Sequence, residues 1–196
     1  LGGASRFDGT SDWIELPRLN ISAQGQPFSA FLWINTTQKG YGASIDGIIV
    51  SKRTGSNTFA MAMSNGSVQV SDWSANDNNA LNGTLAVNDS AWHFVGFTWN
   101  GTAAKLYIDG TMHKTKAITF GAQALGVNQS FGSFDASASR LYNGDIDEAR
   151  FYNIELTPQQ IMQMYNEGRA NHTSNQTIVA EQTYFGDSWT CGVTPT

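Results

Sequence analysis

Alternation of apolar and polar residues with a period of two, interrupted by glycine turns, limits what this chain can fold into more than any other feature. Side chains alternate across a strand, so such runs bury one face of a sheet. Residues 28–34 and 47–52 are short runs rich in aromatic and β-branched residues. Residues 58–64, the turn Asn65-Gly66 and residues 67–73 read as a hairpin. Asn-Gly suits a tight turn because both positions accept positive φ. A second hairpin runs through 92–99, Asn100-Gly101 and 105–109, and Gly110 turns the chain again into 111–115. Residues 145–152 form a late strand. Short strands separated by turns predict an all-β protein, a two-sheet antiparallel sandwich rather than βαβ units.

One helix interrupts the pattern. Thr157 is placed as N-cap, Pro158 sits at the first helical position, and Gln160 completes a capping box. Leu156 and Ile161 are spaced for a hydrophobic staple; Ile161, Met164 and Tyr165 share a face, and Gly168 is the expected stop. The helix is expected to plug one edge of the sandwich. Beyond it the sequence predicts a polar linker over 169–176 and an extended, strand-patterned tail over 177–196. The expected organisation is therefore a domain at 1–168, a linker and a tail.

Charged residues make up only 14% of the 196 and the net charge is −5, with no Lys/Arg cluster. That excludes nucleic acid as a partner, because phosphate binding needs a basic footprint. No apolar run approaches the roughly 18 residues of a membrane-spanning helix, so membrane insertion is not expected. Cys191 stands alone and cannot form an internal disulfide. Asn-x-Ser/Thr occurs nine times, at Asn20, Asn35, Asn65, Asn82, Asn88, Asn100, Asn128, Asn171 and Asn175. With 16 Asn and 36 Ser or Thr, chance gives about three. The excess predicts a secreted chain carrying covalent N-linked glycans on surface loops, and the start at Leu1 reads as a mature terminus left after processing.

The ordered landmarks Phe7-Asp-Gly9, Asp12-Trp-Ile14, residues 28–33, 92–99, 105–110, 144–150 and 156–161 resemble the laminin-G-like, concanavalin A-like family of extracellular modules. The resemblance spans 1–168. It implies a jelly roll with its first and last strands adjacent, built into surface proteins that bind glycans, proteins or calcium. It also implies that the Phe7-Asp-Gly9 turn lies near the late strand, so that Asp8, Asp12, Asp145 and Asp147 could converge on a structural calcium ion through oxygen ligands.

Glycosidases on this jelly roll flank the scissile bond with carboxylates from one strand. Asp145 and Asp147 share a face, but Arg150 stands where a third carboxylate belongs, so the chain is read as non-catalytic. His93, His113 and His172 lack zinc-binding spacing. Trp33, Trp92 and Trp99 are expected in the core, and Trp73, beside a polar loop, is the candidate sugar-stacking aromatic. The tail, with Trp189 and Cys191, is expected to add as a strand to the sheet edge of the next copy, which propagates head to tail into a fibre of identical subunits. The alternative is an adhesin module for carbohydrate or protein.

Overall fold

The computed structural model describes residues 3–16, 26–40, 46–54, 57–72, 80–118, 120, 129–134 and 140–172. Among these, twelve strands form two antiparallel sheets of six. The strands are β1 (Ser5–Asp8), β2 (Ile14–Leu16), β3 (Phe28–Asn35), β4 (Asp46–Thr54), β5 (Asn57–Ser64), β6 (Ser67–Ser71), β7 (Ala80–Asn82), β8 (Trp92–Trp99), β9 (Ala103–Ile108), β10 (Thr111–Ala117), β11 (Gln129–Phe131) and β12 (Asn143–Tyr152). The first sheet runs β1-β12-β3-β8-β9-β10 and the second β2-β11-β4-β5-β6-β7. The two-sheet sandwich expected from the alternation is the fold.

The predicted turns supply the geometry of the hairpins. Asn65 and Gly66 both have positive φ, at 52° and 80°, and join β5 to β6 with Ser64 opposite Ser67. Asp109 and Gly110, at 50° and 76°, do the same between β9 and β10. Three-residue strands such as β7 and β11 carry too few positions for a period to show, and they form because neighbouring strands pair with them.

Alternation places Phe28, Ala30, Leu32 and Ile34 of β3 in the core between the sheets, with Phe59, Met61 and Met63 of β5, and Val95, Phe97 and Trp99 of β8. Phe28 sits at its centre, with ring centroids 5.2–5.7 Å from Phe59, Phe97, Trp99 and Phe120. The Trp99 indole donates to the carbonyl of Ile118 at 2.8 Å.

The helix α1 (Pro158–His172) corrects the sequence reading in two ways. It lies over the outer face of the first sheet instead of plugging an edge. Leu156, Ile161 and Met164 pack with Phe31, Trp33, Phe94 and Tyr107 into a second core. This cover explains why β3 is buried on both faces and reads as a nearly continuous apolar run. The capping box forms as predicted: Gln160 N–H donates to Thr157 Oγ1 at 3.3 Å and Thr157 N–H to Gln160 Oε1 at 2.9 Å.

Gly168 does not stop the helix, which continues to His172. The first four residues of the expected linker 169–176 are therefore helical. A Cβ at position 168 would lie 2.5 Å from the Trp33 indole nitrogen, so glycine is there for close approach of helix to sheet. The tail 177–196, including Trp189 and Cys191, lies outside the described residues.

Candidate functional site

The side of the sandwich where β1, β2, β11 and β12 meet holds the carboxylates singled out in the sequence. β1 and β12 are antiparallel neighbours, with Arg6 opposite Asp145 and Asp8 opposite Asn143. Asp8 closes a local turn: Oδ1 accepts from the amides of Thr10 (2.7 Å), Ser11 (2.8 Å) and Asp12 (3.2 Å), and Oδ2 from the hydroxyls of Thr10 (2.6 Å) and Ser11 (2.9 Å). Asp12 in turn accepts from the Asp8 amide at 3.1 Å. These bonds, that of the Thr10 hydroxyl foremost, hold the exposed Asp8 carboxyl far below the usual carboxylate range. Arg6 donates to Asp145 at 2.9 Å across the strand pair. Asp147 lies 3.2 Å from Nε2 of His172.

As placed, the four carboxylates each have partners within the protein. Asp8 already accepts five hydrogen bonds, Asp145 has a guanidinium partner, and Asp147 lies against an imidazole. Among the described residues, no three of His, Cys, Asp and Glu come together in a way that could hold a metal ion.

Beside these groups runs a groove of about 200 Å³ between the two sheets, with Phe7, Ile14, Leu16, Phe131, Ile146 and Ala149 among its walls. It opens because β12 outruns its neighbour. β1 covers only residues 143–146 of its ten. On the opposite side β3 pairs along β12 as far as Tyr152, through a bulge between Asp147 and Arg150 where Glu148 has φ 45°. Among the described residues, no strand pairs with the outer side of residues 147–152. Such an edge presents backbone donors and acceptors ready for another strand.

His172, read from sequence only as core or surface, anchors the helix end to this side. It is 5% exposed. Its ring stacks on Trp33 at 4.3 Å and 6° and meets Trp92 edge-on at 4.9 Å. Nδ1 faces the Gly168 carbonyl at 2.8 Å. Both ring nitrogens thus face acceptors, a backbone carbonyl and the Asp147 carboxylate. Trp33 and Trp99 are core residues as expected, while Trp92 is half-buried.

A second cluster escaped sequence reasoning because the turn after β9 brings Asp109 back to β8, where His93 also meets Asp89, four residues before it. His93 Nδ1 lies 2.9 Å from Asp109 and Nε2 3.2 Å from Asp89. Its pKa is raised, first by the bond to Asp109, against opposition from burial. The resulting stabilisation is complete below the ordinary value of 6.5 and is lost as pH rises through the raised folded value. We expect the stability difference between the native protein and His93→Gln to shrink over that window in thermal unfolding at a series of pH values; a difference independent of pH rejects this assignment. His113 is placed elsewhere, with Nε2 accepting from the Thr84 amide at 3.0 Å.

Six sequon asparagines are described. Asn65, Asn82, Asn100 and Asn171 are exposed, and Asn35 and Asn88 are half-buried. Asn100 accepts through Oδ1 from Thr102 and Ala103, bonds that do not involve Nδ2, the atom a glycan uses. Asn20, Asn128, Asn175 and Trp73 lie outside the described residues. Trp13, beside the groove-lining Ile14, is 40% exposed.

The laminin G model of the concanavalin A-like lectin/glucanases superfamily matches residues 8–162. The chain belongs to this superfamily. Solved structures of the same fold include a heptameric SAP-like pentraxin from Limulus polyphemus (TM-score 0.61, 16% identity, 82% of this chain and 80% of that one). Another is mouse laminin alpha1 domains LG4-5 (0.62, 15%, 81% and 44%). Domain 4 of the extracellular arabinanase AbnA from Geobacillus stearothermophilus, solved in complex with arabinotriose, is a third (0.62, 20%, 83% and 76%). A rat protein, sushi, von Willebrand factor type A, EGF and pentraxin domain-containing protein 1, is 30% identical over 115 residues, 54% of this chain. The chain spans 3% of that relative's length. Among the described residues no helix is long and apolar enough to cross a membrane.

Proposed function

We propose that this chain is a non-catalytic module of a secreted, N-glycosylated surface protein, and that it joins copies of itself head to tail through residues 177–196. The open outer edge of β12, beside an apolar groove, carries this reading. It offers the backbone pairing that strand addition uses, next to apolar surface that a strand could cover. The exposure of Asn65, Asn82, Asn100 and Asn171 supports glycosylation, because a glycan needs an accessible amide; the half-buried Asn35 instead donates through Nδ2 to the Ser90 carbonyl. The superfamily's extracellular relatives support secretion. Asp145 and Asp147, the nearest approach to a glycosidase pair, are engaged by Arg6 and His172, which supports a role without catalysis.

The contact is heterologous, so each copy keeps one free edge and one free tail, and growth need not close. Deleting residues 177–196 is expected to convert assemblies into folded monomers, read by light scattering and electron microscopy. Assemblies of unchanged size after deletion overturn the reading. A carbohydrate-binding adhesin is the second reading. It is favoured by the exposed Trp13, since sugar rings stack on aromatic faces, and by the arabinotriose-bound relative.

A further inference from the structure

We infer that Asn100-Gly101, in the turn between β8 and β9, is a self-modifying site, at which the Asn100 side chain cyclises onto the Gly101 backbone nitrogen and is converted to Asp or isoaspartate. Asn-Gly occurs at four places in the chain, beginning at Asn65, Asn82, Asn100 and Asn143. At each of them glycine leaves the following nitrogen open to approach. The fold separates the four. The Gly66 N–H is held by the Lys39 carbonyl at 2.6 Å and the Gly83 N–H by the Val68 carbonyl at 2.8 Å. Gly144 lies inside β12, opposite Phe7 of β1. Among the described residues the Gly101 N–H has no acceptor, and Asn100 is exposed.

The turn also holds the Asn100 amide ready for attack. Its Oδ1 accepts from the Thr102 amide at 3.0 Å, the Thr102 hydroxyl at 3.0 Å and the Ala103 amide at 2.8 Å. The bond to the Thr102 amide closes a ring that contains both Cγ of Asn100 and the Gly101 nitrogen, so the two stay on one side of the turn. Hydroxide takes the Gly101 N–H proton, the nitrogen forms a bond to Cγ, and the charge moves onto Oδ1. Three donors already point at that oxygen, as they do in an oxyanion hole. The Cγ–Nδ2 bond then breaks, and Nδ2 leaves as ammonia with a proton from water. The three bonds go to Oδ1, so none of them must break as Nδ2 departs. Water opens the resulting succinimide at one carbonyl or the other, giving Asp or isoaspartate. Either product adds a negative charge to the turn. The nitrogen that leaves is the one a glycan would occupy, so the reaction acts on chains whose Asn100 is unglycosylated.

The test incubates the full chain, produced in a host without N-glycosylation, at neutral and at mildly alkaline pH. The four Asn-Gly peptides are followed by mass spectrometry, and isoaspartate is counted with isoaspartyl methyltransferase. In the folded chain Asn100 is expected to convert first, and faster at the higher pH. In chain unfolded with urea the four are expected to react at similar rates. Thr102→Val removes the hydroxyl donor and keeps both amides, at an exposed position. It is expected to slow conversion at Asn100 several-fold, while Thr102→Ser, which keeps the hydroxyl, reacts at the native rate; circular dichroism checks that both variants fold. Conversion led by Asn65, Asn82 or Asn143 overturns the proposal, as do no conversion at all, the same lead for Asn100 after unfolding, or an unchanged rate in Thr102→Val.

Discussion

Phe28→Ala is expected to destabilise the protein by about 3–5 kcal/mol, the range for deleting a buried aromatic ring from a core that cannot collapse around the hole. Phe28 is fully buried and touches rings from both sheets: Phe97 and Trp99 on β8, Phe59 on β5, and Phe120. Phe59, Phe97 and Trp99 are held by their own strand pairing, so they cannot swing inward to fill the space without breaking register. Phe28 stands opposite Trp99 in the β3–β8 ladder, which fixes the backbone on either side. Denaturant titration should show a lower midpoint with an unchanged slope. A loss below about 1 kcal/mol means the core is softer than its packing suggests.

The second large effect is at His172. Removing its ring with His172→Ala strips a stacked partner from Trp33, an edge contact from Trp92, and the bonds facing Gly168 and Asp147. An aromatic contact contributes about 0.5–1.5 kcal/mol beyond area burial, and a hydrogen bond to a charged group about 1.5–3 kcal/mol. Allowing for overlap between them, a loss of about 3 kcal/mol is expected. His172→Phe keeps the stacking surface and loses the polar contacts, so it should fall between the native protein and His172→Ala. Pairing His172→Ala with Asp147→Asn in a double-mutant cycle should give a coupling of about 0.5–3 kcal/mol. No measurable coupling would leave the 3.2 Å contact without energetic weight.

The expected loss at His172 follows from a helix that the sequence marked only at its start. The capping residues Thr157, Pro158 and Gln160 act within one turn, and local chemistry of that kind is legible in a linear chain. The helix end was misread because Gly168 usually means a stop. Here it means contact with Trp33, a residue 135 positions away in the chain. The same division holds for the candidate site. The Asp8 turn is local, since its partners lie within four residues, and it could be read as a turn. The pairing of Asp145 with Arg6 and of Asp147 with His172 depends on strand register and on the path of the helix, and neither is encoded in spacing.

Alternation, Asn-Gly and Asp-Gly turns and the capping box were enough, by themselves, to specify strands, hairpins and one helix start, because each acts through a residue's own φ/ψ preference or the period of its neighbours. Tertiary structure alone decided that the helix covers a face, that β11 and β7 exist, and that β12 extends past β1 to leave an edge and a groove open. Those outcomes depend on which surfaces meet when apolar area is buried, and that choice is made by the whole chain at once.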